Sequence, residues 1–263
     1  MTIDWFDEDA AHKANPSAKR NRNREDAGKS DASWIKHKLI QQAANGQINA
    51  YRVRHSAARI AIIDANAGDG EGVPLPQCDL FEDIPVSIPT PALAASLAVE
   101  HGGDVFLCER KTERREELRK RFPRAVILND HADVAAKLFG YEYVLVISDP
   151  CGPSGHGIEH LMAIAGKHTD FIIVFNECFL ARVDGVKPPN NLDENTPQRR
   201  AWLKAQHLYG PMGDPEWWMT TLKRRHIART CLIRASSNFQ YRVLVVANFL
   251  SDSAQRRPFE RVK

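Results

Sequence analysis

The chain has 263 residues, 43% hydrophobic and 26% charged, with a formal net charge of +3. That is the balance of an ordinary soluble globular protein, long enough for one large α/β domain with insertions or for two small domains. No run approaches the roughly 18 apolar residues of a membrane helix, the polar start Met1-Thr2-Ile3-Asp4-Trp5 is no signal peptide, and five cysteines (Cys78, Cys108, Cys151, Cys178, Cys231) with no C-x-x-C pair argue against a disulfide framework or a zinc site. A reducing compartment follows, with the cytoplasm as default.

Residues 1–33 form a basic, apolar-poor arm carrying Lys13, Lys19, Arg20, Arg22, Arg24 and Lys29. Such an arm suits phosphate contacts or stands as a solvated tail. The remainder, 34–263, reads as one domain. Trp34, Ile35, Leu39 and Ile40 predict an amphipathic helix ending near Asn45-Gly46. Ile60-Ala61-Ile62-Ile63 is a buried strand running into Asp64 and a glycine turn. Prolines from Pro74 to Pro89 make residues 71–89 an excursion without regular structure.

Regular alternation follows. Thr90-Pro91 predicts an N-cap and first-turn proline, with Gly102-Gly103 closing that helix. Val105 to Cys108 is a strand, Thr112 to Arg121 a charged helix, Ala125 to Leu128 a strand and Ala132 to Phe139 a helix. Then come strand Tyr143 to Ser148, helix Ile158 to His168 and strand Phe171 to Phe175. A second insertion spans about 180–213, with Arg199, Arg200, Trp202 and Lys204 mixing cations and an aromatic ring as nucleic acid requires. Asp214-Pro215-Glu216 starts a helix reaching Arg225; of its Trp217-Trp218 pair, one residue packs on the sheet. Ile227 to Ile233 and Tyr241 to Phe249 are joined too tightly for a crossover helix, so they form an antiparallel hairpin. Strands apolar on both faces alternating with helices give a mostly parallel sheet covered on both sides. The expected fold is a Rossmann-like class I methyltransferase domain of seven strands, ending in that hairpin.

In such a sheet the ligand lies beyond the carboxyl ends of the strands. After the first strand, Asp64-Ala65-Asn66-Ala67-Gly68-Asp69-Gly70 offers glycines for close backbone approach. Asp64, Asp69 and Glu71 would repel a pyrophosphate and favour the sulfonium of S-adenosylmethionine. Glu109, followed by Arg110, suits ribose hydroxyls, and Asn129-Asp130 an adenine amino group. After the fourth strand comes Asp149-Pro150-Cys151-Gly152. Here Asp149 and the carbonyl of Pro150 suit alignment of an exocyclic amine, as in D-P-P-Y-type amino methyltransferases of adenine and cytosine. Alternatively Cys151 is a thiolate nucleophile, as in cytosine-C5 enzymes, or simply a small buried residue.

From about Lys36 to the final hairpin the chain also resembles the three-Cys-motif partner proteins, methyltransferase-like proteins of bacteria and mobile elements. The resemblance lies in the lysine-bearing leading helix (Lys36, Lys38) and in Ile63 to Gly70, where that family has D-x-F-A-G-x-G. It continues in Thr90-Pro91-Ala92-Leu93, Asp149-Pro150-Cys151-Gly152, Ile158-Glu159-His160-Leu161 and Thr169-Asp170. Asn66 and Cys151 stand where aromatics are expected. The resemblance implies S-adenosylmethionine as cofactor, held by Lys38 with Asp64, Asn66, Ala67, Gly68, Gly70 and Asp149. It also implies a small partner protein. DNA or RNA is the expected substrate, no membrane contact and no metal are expected, and DNA modification is the expected role.

Overall fold

The computed structural model describes residues 31–70, 89–130, 132–150, 157–176, 214–236 and 239–248. The elements run in the order α1 (Asp31–Arg52), β1 (Ile60–Asp64), α2 (Thr90–His101), β2 (Asp104–Cys108), α3 (Thr112–Arg121), β3 (Val126–Leu128) and α4 (Ala132–Ala135). They continue with β4 (Tyr143–Ser148), α5 (Ile158–Ile164), β5 (Thr169–Asn176), α6 (Pro215–Thr221), β6 (His226–Ser236) and β7 (Phe239–Ala247).

The strands form one mixed sheet in the order β3-β2-β1-β4-β5-β7-β6. All neighbours from β3 to β5 are parallel, and β7 is antiparallel to both β5 and β6. The expected mostly parallel sheet with an antiparallel end is therefore present. The strand order reverses between β1 and β4, and in sheets of this kind the ligand crevice lies at the carboxyl ends of the strands at that point.

Alternate residues of each strand serve opposite faces. Ile60 and Ile62 of β1, with Leu145 and Ile147 of β4, pack against Ile40, Ala44 and Ile48 of α1, Leu93 and Leu97 of α2 and Leu118 of α3. Ala61, Ile63, Val144 and Val146 face the other way, toward Val134, Leu161, Trp218 and Leu222. Trp218 is fully buried and Trp217 stands partly exposed beside it, so one tryptophan of the pair packs on the sheet as expected.

Several helix ends differ from expectation. Helix α1 does not stop at Asn45-Gly46 but runs on to Arg52. A helical glycine costs about 1 kcal/mol relative to alanine, and burial of Ile48 and Tyr51 beyond it offsets that loss. Pro89, not Thr90, is the N-cap of α2, so no side-chain hydrogen bond caps that end. Gly102, left-handed at φ 62°, closes α2, with Gly103 N donating to Ala98 O at 2.7 Å. Helices α4, α5 and α6 end at Ala135, Ile164 and Thr221, short of the expected Phe139, His168 and Arg225. The backbone turns tightly after each: Lys137 N donates to Val134 O, Gly166 N to Ile164 O and Lys223 N to Thr220 O.

At the opposite, amino-terminal edge, buried Asp170 ties three elements together. Its Oδ2 accepts from Gln47 Nε2 of α1 and from the Tyr143 hydroxyl of β4, each at 2.9 Å, and Asn248 N reaches Oδ1 at 3.3 Å. Burial pushes the Asp170 carboxyl up to about 6, against the pull of those hydrogen bonds and of Arg224. No helix among the described residues is long and apolar enough to cross a membrane.

Candidate functional site at the carboxyl edge of the sheet

The residues following β1, β2, β3 and β4 converge on the crevice through backbone bonds between neighbouring strand ends. Ala65 N donates to Ile147 O at 2.8 Å, Ala67 N to Cys108 O at 2.9 Å and Glu109 N to Leu128 O at 3.1 Å. Asp64, Glu109, Asn129-Asp130 and Asp149-Pro150 thus stand on neighbouring strand ends, the arrangement expected of them.

Asp64 is fully buried. Its Oδ1 accepts from Asn66 N at 2.9 Å, while Oδ2 meets no hydrogen-bond partner among the described residues. The Asn66 side chain turns to β4, where Ser148 Oγ lies 3.3 Å from Asn66 Oδ1. Burial pushes the Asp64 carboxyl up to about 7; the Asn66 N–H opposes this, Asp149 adds to it, and the Thr90 hydroxyl and Lys36 ammonium pull it down. The turn that follows needs its glycines. Gly68 and Gly70 hold φ of 63° and 70°, where side chains other than glycine are strained. A Cβ on Gly68 would meet nothing within 4 Å, so open space adjoins the turn, whereas one on Gly70 would strike Phe122 at 2.8 Å.

Asp149 is nearly buried and already paired. Its Oδ2 lies 2.6 Å from Lys36 Nζ and 3.9 Å from His37 Nε2, both from the first turns of α1. Lys36 Nζ also sits 5.2 Å from the ring centroid of Tyr241 on β7. His37 is pushed down to about 4 by burial and by Lys36, with Asp149 opposing, so it is neutral at ordinary pH. The lysine placed at the site is therefore Lys36. The Lys38 side chain lies outside the described part of the structure. Lys36 falls four residues before Ile40 on the stripe Ile40, Ala44, Ile48, so helical spacing from that stripe singles it out. Thr90, Ser148 and His37 are likewise brought to the site without having been named for it.

The remaining expected residues form a more exposed rim. Glu109 Oε1 accepts from Lys111 N at 2.7 Å, and Arg114 stands 4.0 Å from Oε2. Asp130 binds Arg110 at 3.3 Å through Oδ2 and His160 at 3.1 Å through Oδ1. Asn129 Oδ1 accepts from Arg115 Nη1 at 2.8 Å. Glu109, Asn129 and Asp130 thus come together at the carboxyl edge of the sheet, each engaged by a neighbouring side chain or backbone group. Buried Cys108, at the end of β2, has its thiol pushed up by burial and by the nearby acids, Asp64 first among them, so it is unreactive. Pro150 is described; Cys151 is not, nor are residues 1–30, 71–88 and 177–213, which hold the expected arm and insertions. No cluster of metal-ligating side chains occurs among the described residues.

No protein-family model matches the chain. No curated protein matches it either. Solved structures with similar folds include protein LPL1258 from Legionella pneumophila, 12% identical over 86% of this chain and 87% of that one, with a TM-score of 0.46. Another is the plantazolicin methyltransferase BpumL in complex with SAH, 10% identical over 92% and 95% of the two chains, TM-score 0.47. A third is the Methanococcus jannaschii fibrillarin pre-rRNA processing protein, 13% identical over 73% and 68%, TM-score 0.38.

Proposed function

We propose that this chain is an S-adenosylmethionine-dependent methyltransferase that acts on nucleic acid, at an exocyclic amine of a base (adenine N6 or cytosine N4). The observation that carries the cofactor is Asp64: a buried carboxylate with an unpartnered oxygen, beside a glycine turn with open space, at the crevice where strand order reverses. With Lys36 balancing Asp149, a buried Asp64 ionises only against an added positive charge, so a cationic ligand is favoured there over an anionic pyrophosphate. Asp64, Asn66, Ala67, Gly68 and Gly70 would hold the aminoacyl end, with Glu109, Arg110, Asn129 and Asp130 toward the nucleoside. S-adenosylmethionine supplies the electrophilic methyl group. Asp149 and the Pro150 carbonyl would align the acceptor nitrogen by accepting hydrogen bonds from its amine, and the proton released on methylation would pass to solvent.

Asp149-Pro150 directly after β4 supports the amine chemistry, because acceptors are needed there. The cations and tryptophan of 180–213, with the basic arm, support a polyanionic substrate. Membership of the three-Cys-motif partner family, with its partner protein, belongs to the same proposal and rests on the motifs alone. Lys36 favours one second reading. By occupying Asp149 Oδ2 it competes with a substrate amine, as suits a subunit that binds cofactor and nucleic acid without transferring methyl.

Tritiated methyl transfer to DNA, RNA and protein pools, followed by nucleoside analysis, tests the proposal. Label in N6-methyladenine or N4-methylcytosine is the expected result. It should fall about a hundredfold or more in Asp149→Ala and little in Cys151→Ser. Label at cytosine C5, lost in Cys151→Ser, would instead establish the nucleophilic mechanism.

A further inference from the structure

Among the described residues the charges around Asp64 do not balance, and that imbalance bears on how the proposed cofactor binds. On α1, Lys36 faces the carboxyl edge with His37 beside it. Beyond β4 stands Asp149, paired with Lys36 at 2.6 Å. From α2 comes the uncharged Thr90, and from β2 the Cys108 thiol, held protonated by burial. Lys36 and Asp149 cancel one another, and neutral His37 adds nothing above about pH 4. An ionised Asp64 therefore leaves the cluster one buried negative charge in excess, and burial of an unpaired charge is strongly disfavoured. With its proton on, the cluster is neutral. The bare Oδ2 marks where a missing positive partner fits.

We infer that Asp64 exchanges its proton for the positive charge of the bound cofactor, so that binding releases a proton and the site selects a cationic ligand over a neutral one. This rests on the methyltransferase reading. The incoming charge is either the α-ammonium or the sulfonium of S-adenosylmethionine. In both cases the protonated carboxyl gives its proton to solvent and the carboxylate pairs with the ligand cation. For a carboxyl half-protonated near pH 7, the ionised fraction rises about tenfold from pH 6 to pH 8, and the apparent affinity rises with it to the extent that the ligand keeps its positive charge.

The test is calorimetry on the full chain at pH 6, 7 and 8, in two buffers of different ionisation enthalpy. The ligands are S-adenosylmethionine, S-adenosylhomocysteine and 5′-methylthioadenosine. S-adenosylmethionine should bind about tenfold tighter at pH 8 than at pH 6 if its sulfonium is the partner, and about fourfold tighter if the partner is its α-ammonium, which itself titrates near pH 8. Nearly one proton is released at pH 6 in either case. 5′-Methylthioadenosine, which carries neither charge, should show no pH dependence. S-adenosylhomocysteine follows the first if the ammonium is the partner and the second if the sulfonium is. Asp64→Asn should bind more weakly and without pH dependence. If that variant does not fold, the wild-type protein serves: its protonated-carboxyl infrared band should disappear when S-adenosylmethionine is added. Binding of S-adenosylmethionine without proton release, or pH dependence that survives in Asp64→Asn, overturns the inference and leaves the cofactor standing. No binding by any of the three ligands removes the cofactor reading, and this inference with it.

Discussion

Lys36→Met is the sharpest probe of how the site is built. Lys36 and Asp149 have side chains only 6% and 7% exposed, at a separation of 2.6 Å. At an effective dielectric of about 20 their attraction is about 6 kcal/mol. Removing two ions from water costs several kcal/mol each, so the pair as a whole contributes little net stability. Breaking it is different. Methionine fills the volume of the lysine stem but leaves the Asp149 charge buried, and such a loss costs about 3–5 kcal/mol. His37 is poorly placed to take over, since its Nε2 lies 3.9 Å away and burial disfavours its charged form. Urea denaturation at pH 7.5 should therefore show Lys36→Met destabilised by about 3–5 kcal/mol, with a fall in Tm of roughly 10 °C. The double variant Lys36→Met/Asp149→Asn should recover most of that loss, because neither charge is then left alone. A single variant costing less than about 1 kcal/mol, or a double variant as unstable as the sum of its parts, would refute the buried pair.

Asp64→Asn should alter the dependence of stability on pH. The folded protein keeps a proton on Asp64 that the unfolded chain gives up between about pH 4 and pH 7, so wild-type stability falls as pH rises through that window. The variant lacks that slope; its advantage should grow toward pH 8, with a ceiling of about 4 kcal/mol, and parallel wild-type and variant profiles would count against it. Gly68→Ala should lose cofactor affinity and about 1–2 kcal/mol of stability, from its left-handed backbone alone. Gly70→Ala carries the same strain plus the clash with Phe122, so it should unfold at lower denaturant than Gly68→Ala; the reverse order would show that Gly68 is the more tightly enclosed position. Deleting residues 1–30 should leave Tm nearly unchanged while weakening nucleic-acid binding and flattening its salt dependence. Unfolding on deletion would make the arm structural.

The parallel strands were legible because each is apolar on both faces and stops at a polar turn, as Ile60–Ile63 does before Asp64. The hairpin was legible from the shortness of its loop. Helix ends were not, because a glycine such as Gly46 penalises a helix only slightly and tertiary burial of Ile48 and Tyr51 reverses the outcome. The acids at the strand ends could be picked out, since topology alone brings the ends of neighbouring parallel strands together. Their partners could not. Lys36 and Lys38 stand about 200° apart around a helix, and only the packing of α1 on the sheet decides which of them meets Asp149. The state of Asp64 was hidden for the same reason: it depends on complete burial and on one oxygen left bare, neither of which is a property of local sequence.

Helix α1 is fastened at both rims of the sheet, by Lys36 to Asp149 at one and by Gln47 to Asp170 at the other. It therefore runs against the direction of the parallel strands, and its 22 residues span about 33 Å. Its first residue, Asp31, lies only five residues, or about 7.5 Å of helix, before Lys36. The start of α1 consequently lies at the carboxyl rim of the sheet, near Asp149, and not at the amino-terminal rim. A spectroscopic label placed at Asp31 reports on the carboxyl rim, whereas one placed near His55 sits on the opposite rim and serves as its control.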